Sequence, residues 1–173
     1  MSPIDWAKRP LQKYAEFNGR ASRPELWWFV LLTVVAGVVA MILDSLIGTE
    51  KMVGPYGLFT ILLLAATLVP SLAVQTRRLH DTDRSGLWLA GFYIPYFIYL
   101  YLVIGAMKAM EDMQATGEPP SNAGSLAMTG LVGLVVLIVA VILIIFFVKR
   151  GTAGDNRYGP DPYAGGAGSA ASA

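Results

Sequence analysis

From Leu126 to Val148 the chain carries no charged residue, and that single run leaves few folds open. A hydrocarbon core about 30 Å thick is crossed by roughly 20 apolar residues at about 1.5 Å each. Three further stretches meet or approach this requirement: Leu26 to Leu43, ended by Asp44, then Leu58 to Val74, then Gly86 to Met107. In lipid every backbone amide must be paired within its own segment or in a closed barrel. Barrel strands would alternate in polarity, and Leu134 to Val148 does not. The spacing therefore predicts an all-α, polytopic integral membrane protein with four transmembrane helices.

Composition agrees and narrows the function. The chain is 55% hydrophobic and 14% charged, whereas soluble domains carry about 25% charge. Thirteen basic against twelve acidic residues leave no surplus for phosphate backbones, so no nucleic-acid partner is expected. Without cysteine and with one histidine, neither a thiol nucleophile nor a common closed zinc site can form. No glycine-rich phosphate loop occurs. These absences point away from an enzyme, a metal and a cofactor.

Charge placement gives an orientation. The arm before the first span holds Lys8, Arg9, Lys13, Arg20 and Arg23. The second connection holds Arg77, Arg78 and Arg84, and the tail Lys149, Arg150 and Arg157. Lys51 and Lys108 alone fall on the other side, so eleven of the thirteen basic residues share one face. The positive-inside rule puts both termini and the second connection in the cytoplasm. The first span is read as retained, because its charged lead is too long for a signal peptide. The resulting plan is a basic, interfacial arm over 1–25 and a membrane domain over 26–148, with spans near 26–43, 58–74, 86–107 and 126–148. A tail over 149–163 and a flexible Gly/Ala/Ser stretch over 164–173 complete it.

Ser22-Arg23-Pro24-Glu25 reads as a capping box opening the first span, with Trp27 and Trp28 at headgroup depth. Thr33, Gly37, Ala40 and Asp44 share one narrow helical face, as do Thr60, Thr67 and Ser71. Packing of these two faces is expected. Pro70 and Pro95 sit at comparable depth in the second and third spans.

The informative residues gather on the basic face. Gly19-Arg20 leads to Trp27-Trp28, Arg77-Arg78-Leu79-His80-Asp81 forms a short connection with Ser85-Gly86-Leu87-Trp88, and the tail has Asn156-Arg157-Tyr158-Gly159-Pro160-Asp161-Pro162. In this order the three motifs resemble the bacterial inner-membrane proteins grouped as domain of unknown function 805, over roughly residues 14 to 163. The chain departs from that pattern in a single Trp88 where a pair is common, in a longer third loop from Lys108 to Ser125, and in its Gly/Ala/Ser end. The resemblance implies this topology and supplies no catalytic residue.

The candidate site is therefore Arg20, Arg23, Arg77, Arg78, His80, Asp81, Arg84, Asn156 and Arg157. It admits three readings. It is a structural knot, in which Arg77, Arg78 and Arg84 pair with Asp81, Asp83 and tail carboxylates. Or Arg20, Arg23, Arg77 and Arg78 bind anionic lipid headgroups or a phosphorylated ligand. Or His80, Asp81 and Asp83 hold a metal or do catalysis, which one histidine supports poorly. The expectation is a non-enzymatic membrane binding or accessory module, its partners being anionic lipid, another membrane protein or further copies of itself. The alternative is a small oligomeric channel or transporter using the proline-bearing second and third spans.

Overall fold

A computed structural model describes residues 1–49, 51, 56–117 and 123–164. Among these residues five helices form: α1 (Pro3–Gln12), α2 (Arg23–Ile47), α3 (Leu58–Asp81), α4 (Leu87–Thr116) and α5 (Ala123–Val148). Four of them, α2 to α5, are long and apolar enough to cross a membrane. The Gly/Ala/Ser stretch expected to be flexible lies, after Ala164, outside the described residues.

Each boundary has a local cause. Ser22 is the N-cap of α2, its hydroxyl accepting the Glu25 N–H at 3.4 Å, with Pro24 in the tolerated first turn. The Glu25 carboxylate does not turn back to close a capping box; it goes to arginines described below. The reciprocal box forms instead at α1, where the Ser2 hydroxyl accepts from the Asp5 N–H and the Asp5 carboxylate accepts from the Ser2 N–H.

Asp44 does not end α2, which runs on to Ile47 and stops at Gly48 in the left-handed region, φ 77°. Its buried carboxylate reaches the first turn of α3. There it accepts the N–H groups of Phe59 and Thr60, both at 2.8 Å, and the Thr60 hydroxyl at 2.7 Å. The residue before α3 is Gly57, which has no side chain to cap with, so Asp44 supplies the cap across the hairpin. Gly57 is required twice over: its φ is +65°, and a Cβ there would fall onto the Asp44 carboxylate.

All four spanning helices outrun the spans read from hydropathy, α3 and α4 by the most at a single end. α3 continues to Asp81, so Arg77, Arg78, His80 and Asp81 form its last turns rather than a connecting loop. Charged residues extend an apolar helix here because each finds a buried partner, which a hydropathy window does not register. α4 passes Met107 and reaches Thr116, turning half of the expected third loop into helix. Lys108, Ala109, Met110, Glu111, Met113 and Gln114 are good helix formers, and leaving the apolar stretch is no reason to stop. Pro70 and Pro95 both sit inside uninterrupted helices.

The chain forms two compact units, Met1–Gly86 with the segment from Phe147 onward, and Leu87–Phe146. In the second, Trp88 meets Phe146 edge-on at 5.2 Å, and Phe92, Tyr93, Tyr96 and Phe97 form a run of ring contacts along α4. In the first, α1 lies against α2 and α3, and the Tyr14 hydroxyl donates to the Ala66 carbonyl at 2.9 Å. The facing small-residue stripes flank a groove of about 260 Å³ lined by Thr33, Gly37, Thr60, Thr67 and Ser71. Its apolar centre is small: Ala21, Leu26, Phe29 and Val74, with Val30 and Phe147 packed against them. Most large aliphatic side chains of the spans are exposed, as lipid-facing residues are. The largest fully buried side chains are Arg77 and Arg78.

Candidate functional site

Asp81 is the centre of this inverted interior. Its side chain is fully buried and sits at the C-terminal end of α3, three residues after Arg78 on the same helix face. One carboxylate oxygen accepts from the Arg78 guanidinium. The other accepts from Arg20, at 3.0 Å from Nε and 2.9 Å from Nη2. Both arginines are as buried as the aspartate. An ion pair removed from water stabilises only if its remaining donors are also satisfied. Here the nitrogens not engaged by Asp81 find main-chain carbonyls. Arg78 donates from Nε to Phe147 O at 3.0 Å and from Nη2 to Lys149 O. Arg20 donates from Nη1 to Gly154 O and from Nη2 to Thr152 O, both at 2.6 Å.

Those carbonyls belong to the end of α5 and the tail, so three segments far apart in sequence close on one carboxylate. The tail is fixed further by its own polar groups. Thr152 donates its N–H to Asp81 O at 2.9 Å. Asn156 donates from Nδ2 to His80 O at 2.9 Å, and its Oδ1 accepts the Tyr158 N–H at 2.9 Å. Asn156 and Gly159 exchange backbone hydrogen bonds in a tight turn. Gly151 passes so close to Asp81 that a Cβ would enter the carboxylate. These interactions account for the Asn-Arg-Tyr-Gly run in the tail.

A second buried pair lies beside the first. Arg77 donates from Nη1 to Glu25 Oε1 at 2.7 Å, and Arg9 of α1 approaches the other oxygen at 3.6 Å. Arg77 also offers its carbonyl to the Ala21 N–H at 3.0 Å, pinning the arm before α2. Its Nε and Nη2 are buried without a partner. Glu25 was hidden from sequence reasoning by its place three residues after Ser22, which reads as a capping residue.

The other candidates line the rim. His80 donates from Nδ1 to Gly19 O at 3.1 Å, since a carbonyl can only accept. Its ring stacks on Tyr158, with centroids 3.9 Å apart and planes 4° from parallel. Arg157 is largely exposed and pairs with Asp83 at 3.0 Å while lying over the Tyr158 ring. Arg84 donates to Thr82 O at 2.9 Å. Asp83, at φ 57°, takes the left-handed turn after α3. Arg23 is in the first turn of α2, where its N–H donates to the Tyr163 hydroxyl at 3.1 Å.

The pairing thus departs from the spacing-based expectation in two ways. Arg77 takes an acid from α2, and the tail contributes carbonyls to Arg20 and Arg78 where carboxylates were expected. Residues missed by sequence reasoning are Glu25, Thr152, Gly154 and Tyr158. The last two stand inside or next to the tail motif, which was their only signal. Among the described residues no group of three His, Asp or Glu side chains is placed to hold a metal ion.

Comparison with known proteins agrees with the three-motif resemblance. The family model described as "Protein of unknown function (DUF805)" matches residues 14–160. The chain is 32% identical over 159 residues to "Inner membrane protein YhaI" of Escherichia coli (strain K12), covering 92% of this chain and 96% of that one. It is 31% identical over 159 residues to "Inner membrane protein YhaH" of the same organism, covering 92% and 97%. No solved structure matches.

Proposed function

Since the chain belongs to the DUF805 family and is a multi-pass protein of the bacterial inner membrane, a lineage that brings no activity with it, we propose its role from the site: a non-enzymatic membrane module. In this reading the Arg20–Asp81–Arg78 knot welds arm, helix end and tail into a rigid cytoplasmic platform. The observation that carries it is the burial of both guanidiniums with their N–H groups on Asp81 and on tail carbonyls. A guanidinium buried with each of its three nitrogens engaged is closed to substrate or lipid. Of the groups suited to proton transfer, Asp81 is held by two arginines and His80 has its Nδ1 on Gly19 O and its ring stacked on Tyr158. What the platform offers to a partner is its rim.

The orientation rests on the same charges, since eleven of thirteen basic residues fall on the knot face. The test is Arg78→Ala in the full chain, purified in mild detergent. The platform reading expects a large loss of thermal stability together with rapid proteolysis of the tail. A variant that melts like wild type and keeps its tail protected would overturn it.

A further inference from the structure

With Arg20, Arg77 and Arg78 enclosed, the anion-binding capacity of the knot face passes to two other arginines. Arg23 and Arg150 line a notch of about 500 Å³ together with Thr152, Asp161 and Tyr163. That volume lies in the range of small-ligand sites, about 300–1,000 Å³. Neither guanidinium has an ion pair or side-chain hydrogen bond with another described residue. Arg150 is exposed, Arg23 half-buried.

The other groups in the notch suit an anion as well. The Asp161 carboxylate accepts the N–H groups of Gly154 at 3.0 Å and Tyr163 at 2.9 Å and forms no ion pair with either arginine. The Tyr163 oxygen accepts from the Arg23 N–H, which leaves its own hydroxyl proton to donate. Arg23 and Pro24 open α2, whose 25 residues direct the positive end of the helix dipole at the notch. Counting Asp161, the notch keeps one net positive charge.

Its depth follows from the helix ends. Arg23 begins the first spanning helix, and Arg150 stands two residues after Val148 ends the last. The notch therefore opens at headgroup level, where a phosphate can enter from the lipid as well as from water.

We propose that this notch is a binding site for a phosphate-bearing anion, held between Arg23 and Arg150 with the Tyr163 hydroxyl as a further donor. The proposal rests on the platform reading, because the knot fixes the 150–163 segment that forms one wall. Two guanidiniums acting on one phosphate give charge-assisted, fork-shaped hydrogen bonding. The phosphate belongs either to an anionic lipid or to a soluble phosphorylated molecule.

The full chain in neutral detergent is titrated with short-chain phosphatidylglycerol, short-chain phosphatidylcholine and inorganic phosphate, with bound mass read by native mass spectrometry. The set includes wild type, Arg150→Gln, Arg23→Gln/Arg150→Gln, and Lys8→Gln as an exposed basic residue outside the notch. Phosphatidylglycerol is expected to bind wild type and Lys8→Gln alike, and the double variant roughly tenfold more weakly or worse. Retention of phosphatidylglycerol without inorganic phosphate assigns the anion to the membrane. Binding of inorganic phosphate with the same variant dependence assigns it to a soluble ligand. No binding to wild type, or binding equal in all four proteins, overturns the proposal. Thermal unfolding without ligand is measured in parallel. Notch variants that melt like wild type yet lose no binding refute the site alone, whereas an Arg78→Ala variant that melts like wild type refutes the platform.

Discussion

Replacing Asp81 by Asn preserves the size of the side chain and removes its charge. Arg20 and Arg78 are then two buried guanidiniums facing only carbonyl oxygens. Deleting one partner of a buried ion pair costs about 3–5 kcal/mol, most of it the uncompensated charge left behind. Asp81 serves two arginines, which drives the cost upward, and the carbonyls of Thr152, Gly154, Phe147 and Lys149 remain, which moderates it. A loss of about 4 kcal/mol follows. For a chain of this length each kcal/mol shifts Tm by about 2–4 °C, so Asp81→Asn should melt about 8–16 °C below wild type. The internal standard is Asp83→Asn, which removes the Arg157 pair, whose side chains are 62% and 48% exposed. Exposed pairs contribute about 0–1 kcal/mol, so that variant should melt within about 4 °C of wild type. Thermal unfolding in detergent, followed by tryptophan fluorescence, reads both. If Asp81→Asn falls no further than Asp83→Asn, the knot does not hold this fold together.

Other outcomes follow from the same geometry. Gly151→Ala drives a methyl group into the Asp81 carboxylate and should lower Tm and expose the tail to protease, while Gly154→Asn, at a left-handed φ of 73° with open space around it, should leave both unchanged. Asp44→Ala removes the cap from Phe59 and Thr60 and should cost about 1–3 kcal/mol, seen as faster hydrogen exchange at the start of α3. The Asp161 carboxyl is held below its ordinary 3.8 by the N–H groups of Tyr163 and Gly154. A depressed carboxylate contributes stability above its unfolded value that is lost as pH falls through the folded one. Exchange in 154–163 should therefore stay slow down to about pH 4 and rise only in stronger acid, and loosening already at pH 5 would refute this. Reporter fusions at Gly54 and Ala115 should read periplasmic, and a cytoplasmic signal from either overturns the orientation.

Much of this architecture is legible in the chain because a bilayer imposes a length rule. The apolar runs locate α2 to α5, and Ser22 and Pro24 mark where α2 begins. What hydropathy misses is charge that has a buried partner. Arg77 to Asp81 look like a loop to a window average, yet they continue α3 because Glu25, Asp81 and the tail carbonyls neutralise or solvate them. The three motifs could be seen to share a face, but their pairing could not. Spacing along the chain does not reveal that Arg20 and Arg78 bracket one aspartate, nor that Glu25 serves Arg77 instead of closing a capping box. Arg150 carried no motif at all. Its place in the notch depends on the path of the tail after α5.

The reliance of Arg20 and Arg78 on carbonyls from residues 147–154 also sets an order of events during biosynthesis. Those residues lie at the end of α5 and beyond it, so they are synthesised after Arg20, Arg78 and Asp81, and the set of partners is complete only once the last helix has been made. Water solvates these groups until the tail arrives and takes over. A chain truncated before residue 147 therefore leaves both guanidiniums without their carbonyl partners. The tail works as a latch that can engage only at the end of synthesis.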